Sequence, residues 1–489
     1  MVTSALFSQE TPYGIFENHL DIGAVENKGV VSYNGEDQEY LIEGSGENMW
    51  FADDQFQYLW KSIQGDFILR AKVKFIGKGV DPHRKIGWMV RNSFNADSPH
   101  VNASLHGDGL LSLQYRKTKG AQTEEVKAGN EMVDIIQLER KGNTFIMSVA
   151  KIGDRLRQVQ VSDVALKNEL FVGLYVCAHN PKVIEKAIFS DVRIIKPFDE
   201  TKVRYQDYLG SNMEVLDVES GLRKILFTSS HSIQAPNWTL DGKSLIYNSN
   251  GYLYNYNLEH QNISIINTGP ALKNNNDHVL SFDGSQLGIS HHDENDNGDS
   301  GIYVLPVGGS SMPKKITKDG LGASYLHGWS VNAKELVFTG NRNGQYNIFS
   351  VEIETGIETQ LTNTPGLDDG PEYSPDGKYI YFNSNRTGTM QIWRMKPDGS
   401  EQEQLTFDEL NDWFPHISPD GNSMVFLSFG TDVESDDHPF YKHVYLRIMP
   451  ISGGEPKILT YVYGGQGTIN VPSWSPDGKR IAFVSNTQY

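Results

Sequence analysis

Six times in the second half of this chain, a short strand-like run meets a tight turn and continues into an apolar alternating run. The six are "PNWTLDGKSLIY" from Pro236, "HVLSFDGSQLGI" from His278, "HGWSVNAKELVF" from His327, "PEYSPDGKYIYF" from Pro371, "PHISPDGNSMVF" from Pro415 and "PSWSPDGKRIAF" from Pro472. Their first residues are 42, 49, 44, 44 and 57 positions apart. That period belongs to a four-stranded propeller blade, a unit that cannot bury both of its faces without neighbours. The two longer steps imply insertions.

Each unit follows one physical pattern. In the turn, Pro presets φ and Gly supplies φ > 0, and the run after it alternates with period two. A polar loop such as "NSNRTGT", a third strand such as "QIWRMK", a "PDGS" turn and a fourth strand ending in "QLT" complete the blade. The sixth unit stops after two strands. Ahead of the first unit, "MEVLDVESGLRKILF" (213–227) has the form of a blade's second half with no first half of its own. Pairing the two half-repeats is predicted to close a six-bladed ring and remove the exposed sheet edges of an open array.

The repeat resembles that of TolB-type propellers, whose signature is P-x-W-S-P-D-G-K followed by an apolar strand. The resemblance covers about residues 210–489 and implies the fold. TolB itself carries an α/β domain ahead of its propeller, whereas the first two hundred residues here read as strands: "GDFILRAKVKFI", "KIGWMVRNS", "VNASLHGDGLLSLQYRK", "DIIQLERKGNTFIMSVAK", "ELFVGLYVCAH" and "EKAIFSDVRII". With no helical periodicity among them, a two-sheet sandwich is the economical fold. Their order resembles the concanavalin/laminin-G-like jelly rolls found beside carbohydrate-active domains. The predicted class is therefore all-β, with a jelly-roll sandwich over 1–200 and a six-bladed propeller over 201–489. Trp50, Trp60, Trp88 and Arg91 are candidates for a sugar-stacking platform, because an indole can cover the C–H face of a pyranose.

A net charge of −18 excludes nucleic acid as the expected partner, because phosphate binding needs a clustered basic surface. An uncharged or cationic partner fits the charge better. The single cysteine, Cys177, rules out an intrachain disulfide. No run reaches the ~20 apolar residues of a membrane span. The start "MVTSALFSQE" lacks the features of an export signal. The expectation is a periplasmic or secreted protein whose signal has been removed, with a cytoplasmic location the alternative.

In a blade, the loop leading into strand one and the loop leaving strand two share one end of the channel. Here these loops are irregular and polar, which is where a repetitive scaffold places its binding residues. Three constellations stand out. In "NDWFPH", Asp412 is a candidate acid or base, His416 a partner in proton transfer and Trp413 a stacking surface; Asp369 of the neighbouring blade would be the second carboxylate of a glycosidic cleavage. His278, His291, His292 and His327 are candidate ligands for a divalent metal ion in the channel. Oligogalacturonate lyases, also propellers, are similar in using a histidine-rich metal site. Arg342 and Arg386, at equivalent positions in adjacent blades, could clamp a carboxylated sugar. Asn385, Gln466 and Asn470 complete the predicted substrate-binding set. Two functions compete: a glycoside hydrolase or polysaccharide lyase acting on an oligosaccharide at the irregular face, and a non-catalytic module that binds a glycan or a protein.

Overall fold

A computed structural model of the chain describes residues 11–203 and 205–488, and the regular structure in it is almost entirely strand. Two compact units divide it, one ending at Pro197 and the other running from Phe198.

The first unit contains two seven-stranded antiparallel sheets. One runs Asn18–Ile22, Phe56–Gln64, Glu169–Cys177, Lys85–Arg91, His100–His106, Leu110–Arg116 and Glu124–Asn130 from edge to edge. The other runs Arg157–Val161, Thr144–Ala150, Ile135–Lys141, Phe67–Ile76, Glu185–Ile195, Glu39–Gly44 and Val30–Asn34. Period-two alternation sends Ile86, Trp88 and Val90 of the first sheet into one core with Leu69, Ile136 and Leu138 of the second. This corrects the stacking platform. Trp88 is fully buried in that core, Trp60 packs on Phe94 and Phe171, and Arg91 is sealed against Asp54 at 3.3 Å.

The second unit is a six-bladed propeller. Five blades are four-stranded sheets in simple chain order, beginning at Gln234–Trp238, Asn274–Leu280, Ser324–Trp329, Asp368–Tyr373 and Asn411–Ile417. These first strands pack one against the next around the axis. The sixth blade is composite. Arg480–Thr487 pairs along its length with Gly210–Asp217, which pairs outward with Arg223–Ser229, while Trp474 bridges to Ile481 on the inner side. The predicted union of the two half-repeats is therefore how the ring closes.

The repeated residues have repeated jobs. In every blade the Ser or Thr that opens the turn donates its hydroxyl to the Asp or Asn two residues on, as in Ser374 to Asp376 and Ser418 to Asp420. The Asp side chain, or Asn332 in the third blade, then accepts the amide two residues beyond, and Gly at φ near 70°, or Ala333 at 55° in the third blade, turns the chain back. The tryptophan fastens blade to blade: Trp329 donates to the Val279 carbonyl of the second blade, and Trp474 to the His416 carbonyl of the fifth.

Closure also rests on one buried ion pair. Glu214 receives Arg223 at 2.6 and 2.8 Å, and the same guanidinium reaches the Tyr461 carbonyl of the fifth blade at 2.8 Å. Removing one partner of such a pair typically costs about 3–5 kcal/mol. Arg223→Ala should lower the unfolding free energy on that scale, and deletion of residues 480–487 should abolish cooperative melting. A deletion protein with an unchanged transition would contradict closure by these strands.

The turn aspartates make a second expectation. The Lys378 ammonium and the Ser374 hydroxyl hold Asp376 down at about 2, and hydroxyl hydrogen bonds hold Asp241, Asp283, Asp420 and Asp477 below their usual value of 3.8. A folded pKa below the unfolded one adds stability above the unfolded value, and that stability is lost as pH falls through the folded value. Melting temperature should therefore fall between about pH 4 and 2, and Asp376→Asn with Asp420→Asn should flatten that fall. A pH dependence equal to that of the parent chain would show the turns to be electrostatically silent.

Candidate functional site

Every first strand of the five complete blades carries a bulge at the same place, where its pairing with strand two slips. Ala235, Gly370 and Phe414 take positive φ there, between 53° and 64°. A bulge turns side chains that would follow the strand's alternation toward the axis. At the bulge the second and third blades present Asp277 and His327, and the fourth presents Asp369 immediately before it, all buried.

These three groups form the electrostatic centre of the propeller. The imidazole of His327 lies 3.2 Å through Nε2 from Asp369 Oδ1, and its Nδ1 faces the Asn470 carbonyl at 3.4 Å. Both ring nitrogens meet acceptors, so the imidazolium is favoured. Burial opposes that charge, but the Asp369 bond and the charges of Asp277 and Asp369 outweigh it and raise the His327 pKa. Burial would also raise Asp369, yet the bond to His327 and the pull of His327 and His438 bring it to about 2. The hydroxyl of Thr339 and the amide of Gly370 donate to the same carboxylate at 2.5 and 2.7 Å. Asp277 has less support. Burial pushes it up to about 7, with His327 pulling it back and Asp369 pushing it further.

His438 leads from this cluster to the surface. It lies on the insertion between the second and third strands of the fifth blade, with its side chain 27% exposed and Nε2 3.9 Å from Asp369 Oδ2. Phe414 packs between the imidazoles, 5.8 Å from the His327 ring and 5.4 Å from that of His438. Glu434, Asp436 and Asp437 stand exposed beside His438.

Residues 465–471 occupy the axis. The carbonyls of Gly467, Ile469 and Asn470 accept from Ala235 N, His416 Nε2 and His327 Nδ1, which belong to the first, fifth and third blades. A segment that touches three alternate blades of six has to run through the middle. Glycine is required at position 465, where φ is 124° and a Cβ would lie 2.0 Å from the Pro439 carbonyl.

Several predicted site residues have other work. Asp412 is fully buried, with Oδ1 accepting from Ser428 at 2.6 Å and Arg447 at 3.1 Å. Burial raises its pKa to about 7, but Arg447 and its own strand enclose it. Trp413 is fully buried in the hydrophobic core of the fifth blade and offers no stacking surface. His416 is spent on Glu372 at 2.6 Å and on the axial segment. Arg342 binds Glu358 at 3.0 Å over Phe338 and Phe349, and Arg386 binds Asp368 at 2.9 Å over Phe382 and Trp393. Each arginine fastens its own blade, so neither serves a shared clamp. Asn385 accepts the Leu367 amide, while Gln466 and Asn470 bond each other at 3.2 Å and shape the axial segment.

The histidine set is dispersed as well. His278 faces the Ile246 carbonyl at 3.2 Å, His291 accepts the Lys273 amide at 3.1 Å and His292 faces the Gly298 carbonyl at 3.1 Å. Only His327 joins the axial cluster, and among the described residues no three His, Cys, Asp or Glu side chains are grouped to hold a metal ion. Asp277 and His438 were missed by sequence reasoning. Asp277 is offset by one from the Pro position that the repeat marks, and His438 reaches the site from an insertion with no counterpart in other blades.

The description of PD40, the TolB beta propeller domain, matches residues 321–438. An uncharacterized protein of Agrobacterium fabrum is 43% identical over 275 residues, 56% of this chain and 92% of that protein. The chain belongs to the TolB β-propeller family. A solved structure from Agrobacterium tumefaciens, described as a TolB candidate, is 42% identical over 58% of this chain and 100% of its own, with a TM-score of 0.55. An oligogalacturonate lyase in complex with manganese is 13% identical over 56% of this chain and 82% of its own, with a TM-score of 0.37, too remote to inform chemistry.

In this TolB-family propeller, Asp369 favours the protonated form of His327. A raised folded pKa gives stability that is complete below the unfolded histidine value of 6.5 and is lost as pH rises through the folded value. Asp369→Asn should bring the His327 pKa down to or below 6.5, followed by its ring resonances in a pH titration by NMR. An unchanged midpoint would show that the carboxylate does not hold the charge.

Proposed function

We propose that this protein is a non-catalytic docking propeller whose irregular face receives a cationic segment of a partner protein. The observation that carries the reading is the axial cluster, in which buried Asp277 and Asp369 both act on His327 and partly exposed His438 lies 3.9 Å from Asp369. An ammonium or guanidinium group arriving there meets a carboxyl that can still release its proton, with exposed Glu434, Asp436 and Asp437 around the approach. The charge of −18 favours such an encounter at long range. Asp412 and Trp413, on which cleavage of a sugar was expected to depend, are enclosed by Arg447 and by the fifth-blade core, and this removes the main support for catalysis at "NDWFPH".

A second reading keeps an oligosaccharide hydrolase or lyase at the irregular face. The observation in its favour is Asp277, a carboxyl near neutrality beside the His327–Asp369 pair, because groups poised close to the working pH suit proton transfer. In either reading the sandwich unit serves as a jelly roll that assists binding, and the protein works in the periplasm or outside the cell. Among the described residues no helix is long and apolar enough to cross a membrane.

Lysine-containing peptides titrated into the full chain should bind, and the affinity should rise as pH increases through about 7, because a cation favours the ionised form of Asp277. Asp277→Asn should weaken binding by about tenfold and remove the pH dependence. Absence of binding, with release of product from an oligosaccharide library that Asp277→Asn abolishes, would overturn docking in favour of cleavage.

A further inference from the structure

The first unit holds a polar site that neither its core nor the propeller explains. In the sheet built around Lys85–Arg91, the residues that alternate with Ile86, Trp88, Leu105 and Leu113 face away from the hydrophobic core. Cross-strand register places Lys85 opposite His106, Asn102 opposite Gln114, and Ser104 opposite both Gly87 and Ser112. Tyr175, opposite Gly87 on the other side, adds its hydroxyl 2.6 Å from Ser104. Lys85, Asn102, Ser104, His106, Gln114 and Tyr175 are all buried, at 4% exposure or less.

Their hydrogen bonding is incomplete. Asn102 Nδ2 and His106 Nδ1 have no acceptor, and Gln114 Oε1 has no donor. Lys85 reaches Asn48 Oδ1 at 3.1 Å and His179 Nδ1 at 3.5 Å, both neutral amide or imidazole atoms, and among the described residues no carboxylate forms an ion pair with it. Asp81 and Glu125 are near enough to act on its charge but are bonded elsewhere, Asp81 to the His83 amide and Glu125 to Ser112. At the other end of the same face the buried cations do have a carboxylate: Arg91 and Arg116 share Asp54, at 3.3 and 2.7 Å. Buried cations and buried polar atoms are costly when unpaired, so in native structures such groups meet a partner, which is protein, ordered water, an ion or a ligand. Burial lowers the Lys85 pKa, as an unpaired ammonium requires. The cluster meets solvent at exposed His83 and half-buried Asn48, Glu125 and His179.

We infer that this face binds a small hydroxylated carboxylate, of which a hexuronate is the representative form. The Lys85 ammonium pairs with the carboxylate, Asn102 Nδ2 and His106 Nδ1 donate to ligand oxygens, and Gln114 Oε1 accepts from a ligand hydroxyl. A fully ionised inorganic anion such as sulfate would satisfy the lysine but not the Gln114 acceptor, a neutral sugar would leave the cation unpaired, and phosphate, which carries both charge and hydroxyl, is the competitor that tests whether the carbon framework is recognised.

Calorimetric titration of the full chain with D-galacturonate, D-glucuronate, D-galactose and inorganic phosphate tests this. At least one uronate should bind about tenfold or more tighter than galactose and than phosphate, and Lys85→Gln should remove that preference. Should Lys85→Gln fail to fold, the His106 ring and the Asn102 side-chain amide of the unaltered protein report the same event, by moving in NMR spectra as uronate is added. Absence of both heat and shifts at millimolar uronate would overturn the assignment. Equal binding of phosphate and uronate would overturn the assignment to a hydroxylated carboxylate.

Discussion

The pairing of Gly210–Asp217 with Arg480–Thr487 is the contact on which the propeller depends. The two segments lie some 270 positions apart in the chain, so ring closure is a long-range event whose entropic cost must be met by many contacts formed together. Without it, the first and fifth blades would each present an uncovered face, and the strands of the last half-repeat would be an open edge. The buried Glu214–Arg223 pair and the Trp474 bond to the fifth blade lie at this seam, and both link the composite blade to a neighbour.

A closed ring also constrains the axis. Five inner strands and the Trp474 segment of the sixth blade converge there, and each complete blade spends a bulge to turn side chains inward. Where most blades place Pro after the bulge, the third has His327, and the second has an extra residue that brings Asp277 forward. These two departures from the repeat, with Asp369, concentrate charge in a part of the fold otherwise occupied by main chain. The axial segment 465–471 then fills what remains and gives its carbonyls to His327 and His416. His327 thus serves as a counter-ion to Asp369, and both imidazoles fasten a buried backbone.

The repeat made the propeller legible because its turn chemistry is local: a hydroxyl, a carboxylate and a positive-φ glycine within five residues recur in nearly every blade. The closing blade was readable for the same reason, since each half-repeat lacked its complement. Side-chain roles were harder to read, because they depend on which way a bulge turns a residue. Asp412 and Asp369 occupy similar loops, yet one meets Arg447 inside its own blade and the other meets His327 of a neighbour. Trp413 looked like a binding aromatic, and burial shows it to be core. The arginines Arg342 and Arg386 were repeated because each holds the rim of its own blade. His438 could not be placed from sequence, because an insertion's path over the ring is set by tertiary packing on Trp413 and Phe414.

The account of the site turns on a carboxyl whose pKa burial raises to about 7, beside an ionised Asp369 and an imidazole whose charged form Asp369 favours. A carbon-13 titration of the Asp277 side-chain carboxyl in the intact protein measures this directly. The account predicts a midpoint of about 7, far above the ordinary aspartate value of 3.8. A midpoint close to 3.8 would mean that Asp277 is solvated and apart from the His327–Asp369 pair, and would contradict the cluster as a receiving site.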